Sequence, residues 1–143
     1  MTGNAELLNY IYQNSQMGVE TIDQLIGITE DKKFKGLLQS QYNEYKTIHD
    51  SAKRMSDKFG YEEKGLGTLE KMRTGMMINM QTIADKSTSH ISEMLMVGSN
   101  MGVINAVKNL KKYQDAEPEI RNLMENLLQL EENNIQELKE YLS

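Results

Sequence analysis

The sequence predicts an all-α protein, a four-helix bundle forming a single domain over residues 1–143, and three observations carry that expectation. Apolar side chains recur at alternating three- and four-residue spacings through several long stretches, the signature of a helix with one buried stripe. The chain has one proline, no tryptophan and few β-branched clusters, so little favours strands or breaks helices. Its 38% hydrophobic and 26% charged residues are ordinary for a globular domain that buries a real core.

The first core helix is expected over 4–30, with Leu8, Ile11, Ser15, Gly18, Ile22, Leu25, Ile26 and Thr29 on one stripe and Asn4 as its N-cap. A second, over 31–59, carries Phe34, Leu38, Gln41, Tyr45, Ile48, Ala52, Met55 and Phe59, and Gly60 follows as a stop. The short joint between them makes the two antiparallel neighbours. Gly60, Gly65 and Gly67 bracket a connector, after which Thr68 can cap a crossover helix over 68–86 with Leu69, Met72, Met76, Met80 and Ile83 on one face. That methionine stripe has the spacing of a packing surface, not the close clustering of a Cu(I) site.

The run Asp85-Lys86-Ser87-Thr88-Ser89 reads as a break and a fresh cap before a third core helix over 88–113. The competing layout fuses Thr68 to Val97 into one helix. Residues after the break are apolar on two sides: Ile91, Met94, Gly98 and Met101 face one way, Met96, Val103, Val107 and Leu110 another. Gly98 and Gly102 are expected to let another backbone approach closely. Asp115 to Pro118 marks a turn, and the fourth core helix is expected over 119–142.

That last helix holds the residues on which function turns. At about 100° per residue, Ile120, Leu123, Leu127, Leu138 and Tyr141 share a face, and Glu131 and Asn134 fall within it. A carboxylate on a buried face is costly unless it is paired, protonated or bound to a metal.

Several classes are excluded. A net charge of −5, with sixteen Lys and Arg scattered along the chain, argues against nucleic-acid or anionic-membrane partners. The absence of cysteine removes disulfides, thiolate nucleophiles and thiolate zinc sites, and suits a cytoplasmic setting. Apolar runs such as Met94 to Val97 fall far short of a membrane span, and the N-terminus lacks the pattern of a signal peptide, so no membrane insertion is expected.

The strings EMLMVGSNMGV, Glu93 to Val103, and EENNIQELKEYL, Glu131 to Leu142, resemble small bacterial proteins of the ferritin-like superfamily, of the coat-F spore-coat type. The resemblance implies a ferritin-like bundle with a long connection between its second and third core helices, and a spore-coat or cell-envelope context. It also implies a di-metal centre built from inward Glu residues on two helices and Glu-x-x-His on the other two. Glu131 occupies a ligand place, but Asn134 stands where the histidine belongs. Glu44 lies at the edge of its face with Thr47 three residues on. The first helix offers Ser15, Gly18 and Ile22, and the third Gly98, Met101 and Asn105. Such a site needs several negative ligands to hold two cations. The expected function is therefore a non-catalytic structural or interaction protein with a degenerate metal site and no cofactor. At its centre, Ser15, Gln41, Tyr45, Asn105, Glu131 and Asn134 form a hydrogen-bonded network.

The alternative is a divergent metal-binding protein or oxidoreductase holding iron or manganese through Glu44, Glu131, His90 and Glu93. The His90-x-x-Glu93 pair equally suits a solvated helix start. The second apolar face of the third core helix is expected to be covered by the crossover or by a second copy in a homodimer.

Overall fold

The computed structural model describes residues 3–61 and 84–143, and in them the chain is four helices with no strand. Helix α1 spans Asn4–Ile28, α2 Lys32–Phe59, α3 Thr88–Lys112 and α4 Pro118–Lys139. The predicted four-helix architecture is what the described residues form.

Local chemistry sets the ends. The Thr29 backbone turns extended and its hydroxyl donates to the Leu25 carbonyl at 2.6 Å, ending α1 two residues before the expected boundary. Asp31 caps α2, its carboxylate accepting from the Phe34 N–H at 2.8 Å. Gly60, left-handed at φ 76°, closes that helix, as its position after the apolar stripe predicts. Residues 84–87 are not helical, and Ser87 accepts from the His90 N–H at 3.2 Å, so α3 starts afresh at Thr88. This overturns the fused Thr68–Val97 helix, and it shortens the crossover expected over 68–86, because 84–86 are not helical. The rest of that crossover, with its methionine stripe, lies outside the described residues. Pro118 opens α4 from the first helical position, and α4 ends at Lys139 rather than Leu142.

Asn4 is not an N-cap. It is the first residue of α1, and its side-chain oxygen accepts from the Glu117 N–H at 2.8 Å, tying the start of α1 to the start of α4.

The directions of the helices follow from their contacts. The Tyr12 ring meets that of His49 at a tilt, 4.4 Å between centroids, while Gly18 meets the Tyr45 ring, so α1 and α2 are antiparallel. Ser92 donates to the Leu138 carbonyl while Arg121 donates to that of Leu110, so α3 and α4 are antiparallel too. Asn4 lies by Glu117 and Asn14 by Glu131, which makes α1 and α4 parallel. Lys58 lies by Glu119 and Tyr45 by Glu131, which makes α2 antiparallel to α4. The order is up, down, down, up. The chain therefore leaves α2 at one end of the bundle and enters α3 at the other.

Helix α4 touches all three of the others, whereas α2 and α3 scarcely meet. The core divides accordingly. Leu7, Leu8, Ile11, Ala52, Leu123, Met124 and Leu127 fill one end, and Leu25, Phe34, Leu38, Ile91 and Leu138 the other. Between them lies a polar layer holding Asn14, Gln41, Tyr45, Glu131 and Asn134, each buried.

Candidate functional site

The layer is centred on Glu131, whose residue is 1% exposed. The Tyr45 hydroxyl, from α2, donates to its Oε2 at 2.7 Å, and the Asn14 amide, from α1, donates to its Oε1 at 3.2 Å. From α3 comes Gly102: a Cβ there would sit 2.7 Å from Oε1 and 2.9 Å from Cδ. All four helices thus converge on one carboxyl group. Gly18 does for Tyr45 what Gly102 does for Glu131, since a Cβ at Gly18 would sit 2.6 Å from the phenol ring.

Burial pushes the Glu131 carboxyl up from its ordinary value to about 7, against the pull of the Tyr45, Ser99 and Asn14 side chains. The same burial, and then the negative charge on Glu131, hold the Tyr45 phenol well above its usual range. Tyr10 is raised for the same two reasons, in the same order. A carboxyl near 7 beside a phenol has the proton affinity of a general acid or base. Here both of its oxygens are engaged by protein donors and it is almost wholly enclosed, so the group serves as a hydrogen-bond hub.

Neither a protein-family model, nor a curated protein, nor a solved structure matches this chain.

Of the six expected network residues, the structure joins Tyr45 and Glu131 by a hydrogen bond and places Gln41 and Asn134 in the same layer. Asn134 is 1% exposed with neither amide atom hydrogen-bonded among the described residues, so it does not pair with the carboxylate. Ser15 turns away: its hydroxyl donates to the Ile11 carbonyl at 2.7 Å and lies 3.3 Å from His49 Nδ1. Asn105 is half-buried and helps to set the environment of Tyr10.

The four residues of the metal alternative are not brought together. Glu44 is exposed and raised first by partial burial and then by the charge of Glu137, not of Glu131. His90 and Glu93 sit in the first turns of α3, near the mouth of a cavity. Among the described residues no three His, Asp or Glu side chains cluster as metal ligands would.

Three contributors were not expected from the sequence: Asn14, Gly102 and the buried Ser99, whose side chain acts on both Glu131 and Tyr45. Asn14 neighbours Ser15, and the stripe through Ser15 seemed the better seam; the repeat Leu7, Ile11, Asn14, Gly18, Leu25 was the signal for it. Gly102 was expected to admit a backbone, but it admits a carboxylate.

Proposed function

We propose that this protein is a non-catalytic, ferritin-like helical bundle with a structural or interaction role, whose centre holds side chains in place of a metal pair. The observation that carries the reading is the Glu131 carboxylate engaged by Tyr45 and Asn14 within a bundle ordered up, down, down, up. That order agrees with a ferritin-like chain path, and the strings at Glu93 to Val103 and Glu131 to Leu142 add the coat-F likeness. A spore-coat or cell-envelope setting comes with that likeness and stands or falls with it, while residence in the cytoplasm rests on the absence of cysteine. No helix of the described residues is long and apolar enough to cross a membrane.

Protein purified after expression in medium supplemented with iron and manganese is expected to carry well under about 0.1 metal ion per chain by elemental analysis. About two ions per chain, the loading of a carboxylate di-metal bundle, would overturn the reading and favour the metalloprotein or oxidoreductase alternative.

The interaction role has its own observation. Val97, Met101 and Ile104 recur at helical spacing on α3 and are 60%, 45% and 48% exposed, whereas the face expected to be covered, Met96, Val103, Val107 and Leu110, is half-buried. A contiguous apolar stripe of this kind is expected to be covered, and a second copy of the chain is the proposed cover. Light scattering should give the mass of a dimer in the wild type and of a single chain in Ile104→Glu; a wild type of single-chain mass at working concentration refutes it.

A further inference from the structure

Where α2 and α3 fail to close on one another, the bundle contains a cavity of about 370 Å³, walled by α1, α2 and α3. Its lining is mostly apolar, including Ile22, Met94 and Leu95, and it is within the size range of pockets that hold small organic molecules. Gln41 and Tyr45 stand in the wall from α2. Tyr45 has committed its hydroxyl to Glu131. Gln41 has not: the residue is 1% exposed, and its Nε2 finds no acceptor among the described residues. A buried donor left unpaired is costly, and sites built this way discriminate strongly for a molecule that supplies the missing acceptor.

From the cavity and this donor, we infer that the bundle binds a small, neutral, mainly apolar molecule bearing one carbonyl-type acceptor, which Gln41 Nε2–H engages. Neutrality follows from the surroundings. Glu93 stands near the mouth and the partly ionised Glu131 carboxyl lies behind Tyr45, so an anionic acceptor enters against negative charge. A cation satisfies the charges but offers nothing to an N–H donor. The inference stands apart from the reading of the centre, because the Gln41 amide nitrogen is not bonded to Glu131.

The test uses the full chain, labelled with ¹⁵N, and three probes of similar shape: acetophenone, ethylbenzene and benzoate. Acetophenone is expected to bind saturably, on the order of tenfold tighter than ethylbenzene and tighter than benzoate. The Gln41 side-chain amide resonance, assigned by its loss in Gln41→Met, should move with the titration. In Gln41→Met the advantage of acetophenone over ethylbenzene is expected to vanish. Met94→Trp, which fills the cavity while keeping Gln41, should abolish binding of both. If Gln41→Met does not fold, the wild-type amide shift and Met94→Trp decide the matter. Absence of saturable binding, equal affinity for acetophenone and ethylbenzene, or shifts confined to Ile104 and other residues outside the cavity wall would overturn the inference.

Discussion

Glu131→Gln is expected to stabilise the bundle at pH 8 by about 2 kcal/mol and to remove a pH dependence that the wild type shows between about pH 4.5 and 7. The sign follows from the direction of the shift. Burial raises the folded-state carboxyl from 4.5 to about 7, so within that window the native protein holds a proton that the unfolded chain has released. Wild-type stability therefore falls as pH rises through the window, and the loss is complete above about 7. At about 1.4 kcal/mol per unit, the whole shift corresponds to roughly 3 kcal/mol. Part of the gain in the variant is lost with the stronger hydrogen bond that Tyr45 gives to a charged oxygen. Glutamine keeps an acceptor for the Tyr45 hydroxyl, and the Asn14 amide can turn to meet the new NH₂ group. Denaturant titrations of both proteins at pH 5, 6, 7 and 8 measure the difference, in which other titrating groups cancel. Parallel curves across that range, or a variant less stable than wild type at pH 8, would contradict the assignment of a buried, raised carboxyl.

The second large effect is expected at Gly102. In the interior of a helix, alanine usually improves on glycine by about 1 kcal/mol, and Gly36→Ala, where an added Cβ meets nothing within 4 Å, should show a gain of roughly that kind. At Gly102 the sign reverses. The added Cβ falls 2.7 Å from Glu131 Oε1, and the carboxylate cannot retreat without leaving Tyr45 or Asn14. Gly102→Ala should cost about 1–3 kcal/mol, the range of an overpacked core. The penalty belongs to the pair, so in a Glu131→Ala background the same change should be neutral or favourable, a coupling of at least about 1 kcal/mol. Strict additivity in that double-mutant cycle would show that the two residues do not press on one another.

Much of this arrangement was legible because helix ends and buried stripes are written in local chemistry. Asp31, Gly60, Ser87 and Pro118 each act within one turn of themselves, and each ends or begins a helix where its type predicts. Tyr45, Gln41, Glu131 and Asn134 were identified as inward by spacing alone, and all four are buried. What spacing does not encode is which inward residues meet. Asn14 and Ser15 are both buried on α1, and only the placement of α2 and α4 decides that Asn14 reaches Glu131 while Ser15 turns to His49. Asn134 was expected to accept or donate within the network. Its neighbour three positions earlier has already taken the Tyr45 and Asn14 donors, and among the described residues the amide makes no hydrogen bond within geometric limits, although it lies close enough to Tyr45 to act on that phenol. Glu44 presents the same difficulty in reverse, since an edge position resolves to solvent or interior only when the adjoining helix is in place.

The bonds at Glu131 also bear on how the chain reaches this state. Each helical hairpin is closed by a short joint and makes its contacts between residues near in sequence, which favours early formation. The two bonds to Glu131 join residues 117 and 86 positions apart. They can form only after the two hairpins have met, so the polar centre is expected to contribute little to the folding nucleus. Its role falls at the last step, where a hydrophobic face alone would accept several sliding positions of one hairpin on the other. Because the carboxylate must find Tyr45, Asn14 and the gap at Gly102 together, only one of those positions leaves it satisfied, and the register of the bundle is selected there.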